Sequence, residues 1–314
     1  MIQFNHVSKS YDGAKAVDSL HLEIQKGEFF VLIGPSGCGK TTTMKMINRL
    51  IETTEGSILI DGKDIQQYNI NELRWDIGYV LQQIALFPHM TIAENIAVVP
   101  EMRKWSKEEI KARVDELLQM VGLDPDIYRD RMPDELSGGQ KQRVGVVRAL
   151  AANPKIVLMD EPFSALDPLS REQLQKDIVQ LQKKIQKTIV FVTHDMQEAL
   201  SLGDRICIMK EGKVVQLDTP EGIIHNPKNE FVEEFIGNRG RPWYEGMSIE
   251  GVLPLDNRTR VEGIALSLHS PLQEALIRLQ AEESVPVEEN GQYVGMLTSR
   301  HIVNYIVEQM KERG

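Results

Sequence analysis

Cysteine is scarce in this sequence, with two residues among 314. Cys38 and Cys207 lie far apart along the chain and lack the short spacing of paired metal ligands. Secreted domains held by disulfides and cysteine-based zinc modules both need more cysteines at closer intervals. The sequence therefore argues against both classes and predicts reduced thiols in a cytosolic protein.

Long apolar runs are also missing, since no stretch reaches the roughly 18 consecutive apolar residues of a membrane-spanning helix. Residues 1–11 mix polar and apolar side chains, unlike the basic start and apolar core of a signal peptide. The formal net charge of -10 disfavours a general attraction to nucleic acid or anionic lipid. We expect a protein that stays inside the cell, has no nucleic-acid partner and reaches a membrane only through another protein.

A chain of 314 residues is long for one core, so two domains are expected. Residues 238–247 interrupt every helical or strand periodicity and predict a linker. Before it, alternating strands and helices predict an α/β domain at 1–237 with a parallel-sheet core, an antiparallel β subdomain and a helical insertion at about 91–152. That domain is expected to end in one helical segment at 220–235. A small α/β domain is predicted at 248–314, with a turn at Asn290-Gly291.

A glycine-rich loop follows the apolar strand predicted at 29–33 and precedes a helix predicted at 41–50. Two glycines frame a four-residue gap and are followed by Lys-Thr, the pattern of a phosphate-binding loop. Glycines let the backbone wrap a phosphate, so that amide groups and the positive end of the next helix face its oxygens. We predict that Lys40 bridges the outer phosphates, that the Thr41 hydroxyl binds magnesium and that Cys38 fills space. The predicted nucleotide-binding residues of this loop are Gly34, Pro35, Ser36, Gly37, Cys38, Gly39, Lys40, Thr41 and Thr42.

Two adjacent carboxylates, Asp160 and Glu161, end the apolar strand predicted at 156–159. Neighbouring side chains of an extended chain point to opposite sides, so we expect the two acids to do different jobs. Asp160 is suited to the magnesium shell of a phosphate-loop enzyme. Glu161 is suited to polarise an attacking water as a general base. A capped turn is the other interpretation of such a strand end, and the accompanying phosphate loop favours the catalytic one.

The pentapeptide at 136–140 begins with Leu136 and supplies a hydroxyl and two glycines at a predicted helix start. With the phosphate loop, it resembles the signature of the ABC transporter ATPases, and the resemblance covers about residues 1–237. It implies ATP hydrolysis, ATP and Mg²⁺ as cofactors, and two subunits paired head to tail as a homodimer. Each ATP would then lie between the phosphate loop of one protomer and a second set of residues from the other. That second set is Ser137, Gly138, Gly139 and Gln140.

Other positions match the same family in order. Tyr11 stands where an aromatic ring stacks on adenine, although a ring buried in the core is the other interpretation. Gln82 matches the glutamine that senses the γ-phosphate, the metal and the water, with the adjacent Gln83 as the alternative. Asp167 resembles the end of a loop that crosses the dimer interface. His194 resembles the switch histidine that contacts the γ-phosphate. The predicted catalytic residues are Glu161, His194 and Gln82, and the predicted magnesium ligands are Thr41, Gln82 and Asp160.

The family resemblance also implies partners. It places the subunit on the cytoplasmic face of a membrane, bound to integral-membrane permease subunits that are served by an extracytoplasmic solute-binding protein. In such proteins residues 84–91 and the helical insertion receive the permease. Residues 44–51 resemble the branch that imports glycine betaine, carnitine or choline, although importers of other amines, such as trimethylated histidine derivatives, look much the same.

Residues 285–298 resemble one CBS module, a regulatory fold that normally works in pairs. One copy is recognisable here, so a regulatory role and a purely dimerising role both remain open. Two other functions compete with transport. Soluble ABC proteins of DNA repair or translation usually carry two linked cassettes or a long coiled coil, and a phosphate-loop kinase would lack the signature pentapeptide.

Overall fold

A computed structural model describes residues 1–82, 85–164, 166–185, 187–237, 248–252 and 264–312. Chain contacts divide it into two compact units, Met1–Gly240 and Arg241–Gly314. The predicted linker at 238–247 lies outside the described residues. Within the described ranges, no helix is both long and apolar enough to cross a bilayer.

The first unit contains two sheets. The smaller one is antiparallel, with strand order β2-β1-β4-β5, and the larger one has the order β10-β9-β3-β8-β7-β6. Strands β9, β3, β8, β7 and β6 run parallel, while β10 pairs antiparallel with β9. The strands are β1 (Ile2–Tyr11), β2 (Ala14–Ile24), β3 (Phe29–Ile33), β4 (Glu55–Ile60), β5 (Lys63–Asp64), β6 (Ile77–Val80), β7 (Ile156–Asp160), β8 (Thr188–Thr193), β9 (Arg205–Lys210) and β10 (Lys213–Asp218).

Helices cover the larger sheet and fill the stretch in which a helical insertion is predicted. Three of them begin with reciprocal capping boxes, in which Thr91 pairs with Glu94, Ser106 with Glu109 and Ser137 with Gln140. The helices of this unit are α1 (Lys40–Ile47), α2 (Ile70–Trp75), α3 (Ile92–Met102), α4 (Lys107–Met120), α5 (Pro125–Tyr128), α6 (Gly138–Leu150), α7 (Pro168–Ile185), α8 (Met196–Leu202), α9 (Pro220–His225) and α10 (Glu230–Ile236).

The expectation of one helical segment at 220–235 is wrong. Helix α9 ends at His225, and its C-cap residue Asn226 leaves helical geometry at φ -131° and ψ 61°. The next residue is Pro227, which disfavours a helical conformation in the residue before it and has no N–H to donate. Asn229 then accepts a hydrogen bond from Val232 N and starts α10 as a new helix.

Strand β3 divides the core of the first unit into two faces. Phe29, Val31 and Ile33 belong to the cluster packed under α3, α4, α6, α7 and α8. Phe30 and Leu32 belong to the cluster shared with β1, β2, β4 and α1. A strand buried on both faces reads as a continuous apolar run, which is why β3 is easily found in the sequence. The larger sheet is therefore the middle layer, and its strand ends are fixed from both sides.

The second unit has its own small core. Strand β11 (Leu266–Ser267) pairs in parallel with β12 (Ser284–Glu289), which pairs antiparallel with β13 (Gln292–Thr298). Asn290 and Gly291 both have positive φ, 51° and 79°, in the hairpin between β12 and β13, as the Asn-Gly pair predicts. Its helices are α11 (Leu272–Leu279) and α12 (Ser299–Glu312).

Candidate active site

The glycine-rich loop lies where β3 passes into α1, and two of its glycines are required by close packing. A Cβ atom on Gly34 would lie 2.1 Å from the carbonyl oxygen of Met209. A Cβ atom on Gly39 would lie 2.4 Å from the carbonyl oxygen of Ala16, at a φ of 101°. Both distances are shorter than non-bonded atoms tolerate, so the loop can close against its neighbours only without side chains here.

Lys40 folds back into this loop and is buried, with 6% of its surface exposed. Its ammonium group donates hydrogen bonds to the carbonyl oxygens of Gly34 at 2.7 Å and Pro35 at 2.9 Å. The Cys38 sulfur lies 3.8 Å from the same Nζ atom. Burial is the main cause that raises the pKa of the Cys38 thiol, so the reactive thiolate is disfavoured. The loop therefore holds one fixed positive charge beside an unreactive thiol.

Thr41 and Asp160 form a pair at the end of β7. The Thr41 hydroxyl donates to Oδ1 of Asp160 at 2.8 Å, and the Tyr79 hydroxyl donates to Oδ2 at 3.4 Å. Asp160 is buried, and burial raises the pKa of its carboxyl group, while the bond from Thr41 opposes that shift. Both oxygens of the carboxylate are thus held in fixed directions beside the phosphate loop.

Glu161 departs from the geometry expected of it. The strand ends at Asp160, and Glu161 adopts a left-handed backbone with φ 43°. The prediction that strand alternation separates the two acids is therefore wrong, because a turn separates them. The turn is held by a bond from Glu161 N to Val192 O at 3.0 Å and by the Ser164 hydroxyl, which donates to Glu161 O at 3.0 Å. Residues other than glycine rarely adopt a left-handed backbone, and such strained positions concentrate at functional sites.

Two further groups meet the Glu161 carboxylate. The Gln82 amide donates to Oε2 of Glu161 at 3.2 Å, and Nδ1 of His194 lies 3.2 Å from the same oxygen. Gln82 follows β6, Glu161 follows β7 and His194 follows β8, so all three leave the carboxyl ends of adjacent parallel strands. Gln83, the alternative to Gln82, lies outside the described residues.

These residues surround one cavity of about 430 Å³. Its lining combines the phosphate loop, the start of α1 and the three strand-end groups. Ala16 of β2 also lines it, and sequence reasoning missed this residue because a backbone contact leaves no signal in side-chain chemistry. The lining residues are Ala16, Ser36, Gly37, Gly39, Lys40, Thr41, Thr42, Gln82, Glu161 and His194.

Tyr11 and Asp167 lie away from the lining of this cavity. Tyr11 ends β1 with 46% of its surface exposed, and Lys9 Nζ lies 5.0 Å from the centre of its ring. Its ring is therefore not a core group. Asp167 is exposed, and its carbonyl oxygen accepts a bond from Arg171 N at 2.9 Å as α7 begins. Ala165, in the same loop, lies outside the described residues.

The signature residues form the exposed start of α6. Ser137 is the N-cap, its hydroxyl accepts a bond from Gln140 N, and Gln140 Oε1 accepts one from Ser137 N at 2.9 Å. The side-chain Nε2 of Gln140 donates to the Tyr128 hydroxyl at 3.0 Å. None of the described residues 137–140 lines the phosphate-loop cavity of its own chain. The amide groups of this helix start are thus presented to the surroundings.

Comparisons with known proteins agree with this geometry. The family model for the ABC transporter matches residues 17–164. The glycine betaine/carnitine/choline transport ATP-binding protein OpuCA of Bacillus subtilis is 55% identical over 91% of this chain and 74% of its own length. The glycine betaine uptake system ATP-binding protein YehX of Escherichia coli is 45% identical over 98% of this chain and all of its own length.

Solved structures show the same fold. A dimeric post-hydrolysis structure of the ATP-binding cassette MJ0796, bound to ADP and Pi, superposes with a TM-score of 0.62 at 36% identity. The superposition covers 70% of this chain and 99% of the MJ0796 chain. The chain therefore belongs to the ABC transporter family, in which it is an ATP-binding, ATP-hydrolysing subunit.

Proposed function

We propose that the chain powers an importer of quaternary-amine osmoprotectants such as glycine betaine, carnitine or choline. The observation that carries this proposal is the 55% identity over 91% of the chain with a protein named for transport of those three solutes. The full-length match to YehX, named for glycine betaine uptake, supports the same solute class. The inference is one of kinship, because the solute crosses a membrane that the ATP site does not touch.

Other amines form the competing solute class. The spermidine/putrescine import protein PotA of Chromobacterium violaceum is 46% identical over 76% of this chain and 64% of its own length. That match is weaker in identity and in both coverages than the match to OpuCA. It keeps polyamines among the solutes to be tested, beside the trimethylated histidine derivatives that the family resemblance leaves open.

The subunit works as a homodimer in this proposal, with each ATP held between two chains. The exposed Ser137 and Gly138 and the half-buried Gly139 offer a helix start of the kind that binds anions, yet they do not line their own phosphate-loop cavity. A second copy, placed head to tail, would bring this helix start to the outer phosphate. Asp167, exposed just before α7, would then lie at the interface, and Tyr11 would offer its exposed ring to the adenine.

The residues of the cavity fit ATP with Mg²⁺. Lys40 supplies a positive charge for the outer phosphates, and the backbone amide groups of the loop residues that line the cavity, 36–37 and 39–42, supply donors. Thr41, Asp160 and Gln82 offer oxygen ligands with a single carboxylate, which suits a small cation that keeps several waters and binds phosphate oxygens. Bound Mg²⁺ would neutralise charge that develops on the phosphates during transfer.

In this proposal, hydrolysis is carried out by the strand-end groups Gln82, Glu161 and His194. We assign Glu161 as the general base, because its carboxylate opens into the cavity and Oε2 already accepts a bond from Gln82. The water would give its proton to this carboxylate as its oxygen attacks the γ-phosphate and the bond to ADP breaks. His194 and Gln82 would hold the phosphate and the water in line. ATP closes the dimer, and release of products lets it open.

A second groove is suited to the permease. Its volume is about 410 Å³, and its lining combines the edge strand β6 with residues of α3 and α6. Leu81 and Phe87 line it and are 38% and 47% exposed. Arg148 also lines the groove, and its Nη1 atom donates to the carbonyl oxygen of Ala85 at 2.6 Å. Apolar exposure beside two cations, Arg148 and Arg74, favours an amphipathic helix as the partner.

The loop beside this groove is held rigid by one buried side chain. Asn95 is fully buried, and its Oδ1 accepts a bond from Phe87 N at 2.8 Å. Its amide group donates to Phe87 O at 3.1 Å and to Met90 O at 3.0 Å. Phe87 is therefore presented on a shaped loop, which lowers the entropy cost of docking.

Replacing Phe87 with Ser is expected to lower the affinity of the subunit for detergent-solubilised permease by about 30-fold, the loss typical of an apolar anchor. ATP affinity should stay unchanged, because the side chain lies outside the nucleotide cavity. Binding to immobilised permease would be compared with that of Met102→Ser. Met102 is a 63% exposed apolar residue at the end of α3, the helix that follows the Phe87 loop, and lies outside the groove lining. Equal affinities for the two variants would place the permease elsewhere.

The second unit is proposed to be a single CBS-like module that regulates or dimerises. Its order of elements, β11-α11-β12-β13-α12, and its separate core support a self-contained domain at about 248–314. Removing this unit should leave the ATP cavity intact, since the residues that line the cavity all belong to the first unit.

The solute is tested by reconstituting the subunit with its permease and solute-binding protein in vesicles. We expect glycine betaine, carnitine or choline to raise ATP turnover several-fold and to accumulate inside the vesicles, because solute arrival promotes dimer closure. A polyamine and a trimethylated histidine serve as competing solutes. Stimulation by one of these alone would overturn the osmoprotectant assignment, and turnover without any permease association would favour a soluble ABC protein.

A further inference from the structure

One buried carboxylate of the first unit has no part in the proposed hydrolysis. Glu198 lies in the first turn of α8 and is only 6% exposed. Three neighbours on the same helix, Met196, Ala199 and Leu202, belong to the hydrophobic core. Burying a carboxylate costs free energy unless its interactions repay the loss of water. A carboxylate in such a place is a candidate for a functional constraint rather than for a contribution to stability.

The hydrogen bonds of Glu198 converge on the segment that carries His194. The Thr193 hydroxyl donates to Oε2 of Glu198 at 2.5 Å. The same hydroxyl oxygen accepts a bond from the backbone N–H of Asp195 at 3.0 Å. Thr193 ends β8 and is 1% exposed, so Thr193 and Glu198 anchor this chain of bonds in the core, while Asp195 at its other end is half-buried. His194 lies between the two residues that this hydroxyl connects.

Charged groups from two other directions face the same carboxylate. Burial raises the pKa of Glu198, and Asp195 raises it further, while the Thr193 hydroxyl, Arg171 and His194 lower it. Arg171 belongs to α7, and its backbone N–H binds the carbonyl oxygen of Asp167 at 2.9 Å. Its guanidinium also donates to Leu166 O at 3.4 Å. Glu198 thus lies between the His194 segment and the helix that carries the Asp167 loop.

We infer that Glu198 is a positioning residue for His194 and acts as the hydrogen-bond acceptor that fixes the Thr193 hydroxyl and, through it, the backbone at Asp195. The inference rests on the role proposed for His194 at the ATP site. With the backbone on both sides of His194 fixed, the imidazole starts from a backbone position that brings its Nδ1 within 3.2 Å of the Glu161 carboxylate. Such support by neighbouring hydrogen bonds is how active-site groups keep their geometry.

The test compares Glu198→Ala with Glu198→Gln in the full-length chain. Gln keeps an oxygen that accepts from Thr193, whereas Ala removes it. We expect kcat for ATP to fall about tenfold in Glu198→Ala, a loss typical of a misplaced catalytic group, with ATP affinity within about twofold of the parent. Glu198→Gln should keep at least about half of the parent kcat. Imidazole NMR signals of His194 should shift in the Ala variant and stay near the parent position in the Gln variant.

Two further variants keep the test decisive. Thr193→Val removes the hydroxyl without changing the shape of the side chain, so it should repeat the kcat loss even where Glu198→Ala folds poorly. Glu28→Ala is the matched control, because Glu28 is a 7% exposed carboxylate that binds Gln25 N and Arg205 at the opposite end of the sheet. It should lower the melting temperature without a specific loss of kcat.

The outcomes separate this inference from the role of His194 itself. A strong defect in His194→Ala together with parental kcat and parental His194 signals in folded Glu198→Ala would overturn the inference alone. An equal loss in Glu198→Gln and Glu198→Ala would also overturn it, because charge and not the acceptor would then matter. Parental turnover in His194→Ala would remove the proposed role of His194 and this inference with it.

Discussion

Replacing Glu161 with Gln lowers the ATP turnover of the dimer by about 10²- to 10⁴-fold, the range expected for loss of a general base. Gln has nearly the same shape, and its amide oxygen can still accept the bond that Gln82 donates to Oε2 at 3.2 Å. The backbone contacts that hold the left-handed turn, Glu161 N to Val192 O and Ser164 Oγ to Glu161 O, do not involve the side chain. ATP affinity should therefore stay within a few-fold of the parent.

A second result accompanies the loss of turnover. Because the variant binds ATP and does not consume it, the closed dimer should accumulate and be seen by size-exclusion chromatography with ATP and Mg²⁺. Glu116→Gln makes the same chemical change on an exposed residue of α4 that pairs with Arg113. That control should turn over ATP at the parental rate and stay monomeric under the same conditions. Should Glu161→Gln retain most of its turnover, the base would have to be another group of the cavity.

The phosphate loop could be predicted from the sequence because its requirements are local. Gly34 and Gly39 stand where no Cβ fits, and Lys40 and Thr41 follow directly, so the spacing carries most of the geometry. Glu161 was predicted from its place at the end of an apolar strand, and Gln82 and His194 were predicted from the family resemblance. Parallel strands β6, β7 and β8 end on the same edge, which brings Gln82, Glu161 and His194 together.

Other parts of the site depend on tertiary contacts that leave weak signals in the sequence. A glutamate rarely adopts positive φ, so the turn at Glu161 contradicts the local preference and exists because Val192 and Ser164 hold it. From the sequence alone, Glu198 would be placed on the solvent-exposed face of a helix, since glutamates are almost never buried. Ala16 contributes through its position in the packed sheet alone. In each case the neighbours, and not the residue type, decide the placement.

Replacing Lys40 with Ala is expected to weaken ATP binding by about 10- to 100-fold, the value of one or two charge-assisted hydrogen bonds to phosphate. The ammonium is held over the loop by Gly34 O and Pro35 O, so it is already in place when the phosphates arrive. The variant removes the buried positive charge and leaves the close-packed glycines of the loop, Gly34 and Gly39, unchanged. Folding should survive, and calorimetric titration with ATP measures the loss directly.

The control for Lys40→Ala must remove the same charge at a distance from the loop. Lys63→Ala does so on β5, where Lys63 lies over the Tyr68 ring, 4.3 Å from its centre. Its ATP affinity should equal that of the parent, which excludes a general effect of net charge on an anionic ligand. Full-affinity ATP binding by Lys40→Ala would contradict the role given to the loop, because the backbone amides alone would then account for phosphate binding. A loss in Lys40→Ala together with retained binding in Glu161→Gln assigns affinity and turnover to different residues of one cavity.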